Sequence, residues 1–209
     1  MAVTAIGMFA VFLFLTYFLQ QILDFSPLMA GVAFLPMVAG IVTSSTAIVP
    51  WSLPRYRPRV LIVPGQLLSA AGLVYMWTLD VDGGCYLTHV LPALVIMGLG
   101  LGLIFATAFN TATAGAQPSD AGVASAMVNT CQQVGGALGT ALLNSIVTTV
   151  TASYVASHQR SSELPTQAAL AGETRAFLIA AGIFVVGSVV SFTVLPRGPS
   201  PEGSQAAPG

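Results

Sequence analysis

The sequence predicts an all-α integral membrane protein of about six transmembrane helices, and three observations carry that prediction. Only 6% of the 209 residues are charged, with no lysine among them, whereas a soluble domain carries roughly 25%. Apolar residues make up 55% of the chain, and mean hydropathy is +0.85. The few charges lie mostly between long apolar stretches, several of which reach the ~20 residues that a helix needs to cross a bilayer core. This pattern argues against a water-soluble core. A net charge of -1 leaves no electrostatic footprint for nucleic acid, so the expected surroundings are the lipid bilayer.

The first predicted span, Thr4–Leu23, is rich in Phe and Leu, and a turn at Asp24–Pro27 separates it from the second, Leu28–Val49. Ser26-Pro27 suits an N-cap followed by proline at the first helical position, and Pro36 is expected to kink the second span by removing one backbone donor. A hinge, Pro50–Arg59, leads to the third span, Val60–Leu79. The polar loop Asp80–Thr88 precedes the fourth, Val90–Ala114, where Gly98 and Gly102 form a small-xxx-small pair for helix packing. A short polar turn, Gln117–Asp120, opens the fifth, Ala121–Ala152. A polar segment, His158–Thr174, is read as a loop before the last span, Ala176–Leu195. These spans form one expected unit, residues 1–195. The tail Pro196–Gly209 holds four Pro and three Gly and is expected to be disordered.

Arg55, Arg57 and Arg59 cluster between the second and third spans, and the positive-inside rule assigns such a short loop to the cytoplasm. Alternation then places Asp24 and the Asp80/Asp82 loop outside, and the Asp120 turn, Arg197 and both termini inside. Arg160 and Arg175 fall outside, in a longer loop beside Glu163 and Glu173, which weakens the assignment without reversing it. Met1–Met8 carries no basic residue, so it lacks the n-region of a signal peptide. A start within a larger protein explains this, and the expected location is the cell membrane as a multi-pass protein.

The stretch Gln117–Ala141 is the most informative. After the turn it carries no formal charge. It sets Asn129, Gln132 and Gln133 among small residues, followed by Gly135, Gly136 and Gly139. So many glycines make a poor helix in water, but in lipid small residues let helices approach closely. Residues Gly122, Ala124, Ser125, Asn129, Thr130, Gln133, Gly135, Gly136, Ala137 and Gly139 fill the pattern G-x-A-S-x-x-x-N-T-x-x-Q-x-G-G-A-x-G. That pattern resembles a segment in the C-terminal half of major facilitator superfamily (MFS) drug:proton antiporters of the 14-helix type. Tyr17 and Gln20 ahead of Ser26-Pro27, Ala30-Gly31 and Leu35-Pro36, together with Gly98-Leu-Gly100-Leu-Gly102, extend the resemblance. It covers nearly all of the chain and implies an MFS C-terminal six-helix bundle, about 40% of a full transporter. One departure stands out: the usual G-x-L-x-D-R-x-G-x-R loop lacks its aspartate and glycines between Val49 and Arg59, so a charge latch there is in doubt.

No enzyme chemistry is visible. His89 and His158 are isolated, no metal-ligand spacing joins them to Cys85 or Cys131, and no phosphate loop or nucleophile motif appears. No cofactor or metal is expected. The predicted span interiors hold no Asp, Glu, Lys, Arg or His, although ion-coupled transport normally needs such a residue. If the chain is half of a proton-coupled exporter, its coupling carboxylate is expected in a missing N-terminal half, as the resemblance also implies. The expected partners are then small-molecule substrates and protons. The candidates for a neutral cavity wall are Tyr17, Gln20, Gln21, Phe105, Thr107, Asn110, Asn129, Gln132 and Gln133. The amides serve equally as interhelical glue, at about 0.6–2 kcal/mol per hydrogen bond. The expected function is export of amphipathic or drug-like compounds by proton antiport. The alternative is a free-standing or inactive six-helix protein with a structural or assembly role.

Overall fold

A computed structural model describes residues 1–77, 86–114, 120–158 and 164–195. Several sequence expectations lie outside these residues: the Asp80/Asp82 loop with Cys85, most of the Gln117–Asp120 turn, Arg160, Glu163, and the tail with Arg197. Six helices among the described residues are long and apolar enough to cross a membrane: Ala2–Gln21, Pro27–Ser52, Pro58–Trp77, Tyr86–Thr113, Gly122–Ser157 and Leu164–Val194. They are called the first to sixth helices below. The end of the bundle carrying Arg55, Arg57 and Arg59 is called the arginine end, and the opposite one the far end.

The first helix is α-helical over Ala2–Tyr17 and widens into a π-turn at Phe18–Ile22. The chain then reverses through Asp24, whose φ of +52° is left-handed. Aspartate enters that region more readily than most residues because its short side chain can hydrogen-bond locally. The reversal is closed by Leu23 N–H donating to Phe18 O at 3.2 Å and Phe25 N–H donating to Leu19 O at 2.9 Å. Ser26 caps the second helix, its Oγ accepting from Met29 N–H at 3.3 Å, with Pro27 in the first turn.

The second helix is interrupted where the proline predicts. It is α-helical over Pro27–Ala33 and again over Leu35–Thr43, with a break at Phe34. Pro36 has no donor to offer, and Met37 N–H turns to Phe34 O at 3.1 Å. The Ala33 carbonyl left over accepts from the Tyr86 hydroxyl, at the start of the fourth helix, at 2.7 Å. A buried carbonyl needs such a partner most where no water can supply one. The kink and the fourth helix are thereby tied together.

The fourth helix is the axis of the fold, because its glycines let two neighbours reach its backbone. A methyl group on Gly98 would strike the Met37 carbonyl, and one on Gly102 would lie 2.6 Å from Ile41 O; both contacts face the second helix. One on Gly100 would lie 2.5 Å from both Gly65 O and Ser69 Oγ, facing the third. Along the third helix, Gly65 and Gly72 answer with approaches of 2.8 Å to Gly100 O and 2.9 Å to Ala93 O. Around this seam lies the main core, with Phe14, Phe18, Met37, Leu73, Met76, Leu94, Met97, Leu101, Phe177 and Phe184 almost fully enclosed.

The fifth helix runs Ala121–Ser157 and meets the first helix through glycine as well. Added methyl groups would strike Ala2 from Gly135, the Phe9 ring at 2.6 Å from Gly136, and Ile6 at 2.7 Å from Gly139.

The sixth helix corrects the sequence reading. It begins at Leu164, and Leu164–Thr174, read as part of a polar loop, is helical. At 31 residues it is about 46 Å long. The extension forms because the buried face does not stop at Ala176: Leu164, Ala168, Gly172, Ala176, Ala180, Phe184 and Ser188 recur every four residues, and all are buried. Thr151 Oγ1 of the fifth helix donates to Ala168 O at 3.2 Å and anchors this part. Glu173 lies inside the extension and is 6% exposed. The expectation that no acid or base enters the interior of the spans is therefore overturned.

Three outcomes follow for stability in detergent or bicelles. Gly100→Ala or Gly98→Ala forces backbone apart and should destabilise by about 1–3 kcal/mol. Gly182→Ala, with nothing within 4 Å of the added methyl, should be neutral or stabilise by up to ~1 kcal/mol. Tyr86→Phe keeps the ring but orphans the Ala33 carbonyl, and should cost about 1–3 kcal/mol. Equilibrium unfolding followed by circular dichroism reads all of these, and equal effects at Gly100 and Gly182 would refute the seam.

Candidate functional site

The residues expected to line a cavity fall into three groups. Tyr17 and Gln21 are exposed and Gln20 half-buried at the far end of the first helix. On the fourth helix, Phe105 is half-buried against the core, Thr107 is fully enclosed, and Asn110 is exposed with Nδ2 donating to its own Ala106 O at 2.7 Å. On the fifth, Asn129 and Gln133 are exposed, while Gln132 is half-buried beside the glycine contact with the first helix. The bundle thus leaves Asn129 and Gln133 on an open face of the fifth helix; Met127, Val134 and Leu138, each more than half exposed, lie on another side of the same helix. Thr107 differs from the rest: its Oγ1 is buried without a partner in the interior of this bundle, away from any open face.

The arginines do more than mark an end of the bundle. The Arg55 guanidinium stacks 4.6 Å from the Trp51 ring centroid while Nη1 donates to Trp51 O at 2.7 Å. The Arg59 guanidinium lies 3.6 Å over the Phe192 ring and so ties the third helix to the sixth. Arg57 is exposed. No ion pair joins these three to an acid among the described residues, so here aromatic rings take the place of a charge latch.

Two concave features accompany these residues. A cavity of about 220 Å³ opens at the arginine end between the first, third, fourth and sixth helices. Thr4 and Gln66 line it, 1% and 4% exposed, and both Thr4 Oγ1 and Gln66 Oε1 lack hydrogen-bond partners. The second, about 450 Å³ and almost wholly apolar, lies beside the Pro36 kink between Phe25, Met29, Leu35, Tyr86 and Leu91. Sequence reasoning missed Gln66 and Glu173. A lone amide within the apolar run Val60–Leu79 could have signalled the first, and the four-residue ladder from Leu164 the second. His89 stacks on Tyr75 at 6.0 Å and His158 on Tyr154 at 4.0 Å. Cys131 is free and exposed, and no group of three metal-ligand side chains forms among the described residues. The arrangement offers hydrogen bonds and apolar surface to a small molecule.

Comparison with known proteins finds relatives named for drug resistance and export. The chain is 47% identical over 191 residues to the puromycin resistance protein pur8 of Streptomyces alboniger, covering 91% of this chain and 38% of that protein. It is 36% identical over 133 residues to the cephamycin export protein CmcT of Amycolatopsis lactamdurans, covering 64% and 27%. It is 32% identical over 148 residues to a multidrug resistance protein B homolog of Mycobacterium tuberculosis, covering 71% and 27%. The chain therefore spans well under half the length of these relatives. The Major Facilitator Superfamily model matches residues 1–140, and with six membrane-length helices packed as described, the chain belongs to that superfamily.

Proposed function

We propose that this chain is one six-helix half of a membrane exporter, the C-terminal half of a drug:proton antiporter of the 14-helix type, whose cargo is amphipathic or drug-like small molecules. The observation that carries this reading is the 47% identity to a puromycin resistance protein across 91% of the chain, with only 38% of that relative spanned. The open face of the fifth helix supports it. Neutral amides suit compounds that carry some polar groups, because they bind them without a charge to desolvate. Alternating access moves two bundles about a site between them, so this half requires the other to complete a cycle. In this reading the arginine end faces the cytoplasm, both termini are cytoplasmic, and the membrane is the cell membrane.

The test places the chain in an efflux-deficient bacterial strain, alone and fused behind the remaining N-terminal part of the puromycin resistance relative. Retention of an amphipathic dye should be unchanged by the chain alone and should fall with the fusion, collapsing back when an uncoupler removes the proton gradient. Dye retention unaffected by a fusion that reaches the membrane would overturn the exporter reading.

Within a working fusion, Gln133→Ala should change retention of dyes that carry a hydrogen-bonding group by about 3- to 30-fold, the worth of one such bond in lipid. Dyes without such a group should be unaffected. A uniform change across all dyes would assign Gln133 to helix packing instead.

Topology has its own test. Replacing Arg55, Arg57 and Arg59 by Asn should weaken or invert orientation. Impermeant thiol labelling of an introduced Tyr56→Cys, with Cys85 and Cys131 replaced by Ser, reports it, and labelling of that site from outside intact cells while all three arginines are present would reverse the assignment.

A further inference from the structure

Among the described residues, Glu173 is the one acid or base in the interior of the bundle, 6% exposed. Its Oε2 is enclosed without a hydrogen-bond partner. It belongs to the face the sixth helix turns toward the core, one turn from Ala176 and Phe177 and two from Ala180, all 0% exposed. Its depth follows from helix geometry. Phe192, under the Arg59 guanidinium, marks the arginine end; Glu173 lies 19 positions back, about 28 Å along the axis. With a hydrocarbon core ~30 Å thick, that puts the carboxyl at the far edge of the core, enclosed by protein.

Among the described residues, the surrounding elements supply no counter-charge. The first helix offers Tyr17, which is exposed. The third offers Tyr75, whose hydroxyl donates to Thr88 O at 3.1 Å, and Arg59 at the opposite end. The fifth offers Tyr154 and His158, stacked on each other 4.0 Å apart. On the sixth itself, Arg175 is exposed. None of them forms an ion pair or hydrogen bond with Glu173. An enclosed carboxylate without cation or donors is far less favourable than the neutral acid, and a purely structural role would be better served by Gln or Met. Meanwhile Arg175, two residues on, is exposed, so the carboxyl sits within about one turn of the bundle surface.

We propose that Glu173 is a proton-binding site of this half. It takes a proton from hydronium at the far end: an O–H bond forms on its carboxylate as one O–H bond of the hydronium breaks, leaving water. It holds that proton while the bundle encloses it, and returns it to water when the bundle opens at that end. Its use in transport rests on the proton-antiport reading above, which had expected the titrating carboxyl to lie in the other half alone.

The test uses the whole purified chain in phosphatidylcholine vesicles. Infrared difference spectra of wild type and E173Q at pH 7 should show a protonated-carboxyl stretch that the substitution removes and that fades as pH rises. As pH rises, wild type should also lose thermal stability relative to E173Q, whose side chain cannot ionise. Should E173Q fold poorly, wild type alone answers. Dicyclohexylcarbodiimide adds to protonated carboxyls in apolar surroundings, and mass spectrometry at pH 7 should find it on Glu173 several-fold more than on exposed Asp24. No E173Q-sensitive band, or equal labelling of the two acids, overturns the proposal. Failure of the exporter reading would show separately, as unchanged dye retention by the fusion.

Discussion

The closeness of the fourth helix to its two neighbours is the constraint on which the rest of the bundle depends. Lipid tails are as apolar as leucine, so helices in a bilayer gain little by hiding greasy side chains from the solvent. They must instead gain contact area, and backbone can meet backbone only where no Cβ intervenes. Glycines at 98, 100 and 102 are two positions apart, about 200° of rotation at each step. The outer pair therefore meets the second helix through Met37 and Ile41, while Gly100 meets the third through Gly65 and Ser69. One short run clamps two helices on opposite sides. The first and sixth helices then close around the third, where Gly187 approaches Val3 and the Gln66 side chain.

Close approach leaves little tolerance for unpaired backbone, and each irregularity of the bundle comes with a partner. The Pro36 kink frees a carbonyl that Tyr86 takes up. The π-turn Ser44–Ile48 sits directly ahead of Pro50, with Val49 N–H reaching back to Ser44 O. The short side chains follow the same economy: Thr43, Thr46, Ser69, Thr130, Thr148 and Thr149 each donate to the carbonyl four residues before. Those hydroxyls are satisfied without needing a second helix. Thr4, Ser44, Gln66, Thr107 and Glu173 are not, and two of them, Thr4 and Gln66, face the same cavity.

The six spans were legible because hydropathy and length are strong signals in a chain with so few charges. The N-cap at Ser26, the break at Pro36 and the close approach of the glycines were legible because each has a local cause. Legibility ended where the cause was not local. The Leu164–Thr174 extension is rich in Thr, Gln and Glu, so hydropathy ends the span at Ala176. What folds it is a fourfold repeat of small and apolar residues that finds the fifth helix. Tyr86 gave no hint of its partner 53 positions away. The candidate wall residues show the same limit. Spacing puts Asn129 and Gln133 on one face, but only packing against the first helix decides that they are open and that Thr107, equally polar in the sequence, is enclosed.

Open amides and an enclosed acid differ in the work that they could do in such a bundle. A neutral amide on an open face discriminates among compounds by one hydrogen bond at a time and cannot by itself respond to a proton gradient. A carboxyl enclosed in the same half can, because gaining or losing a proton changes the free energy of enclosing it. Glu173 is placed for that leverage: it shares the core-facing side of the sixth helix with Phe177 and Ala180, and opening the bundle at the far end is what would hydrate it. The amides lie on the fifth helix and the acid on the sixth, so in the two proposals cargo contact and proton contact do not compete for one pocket.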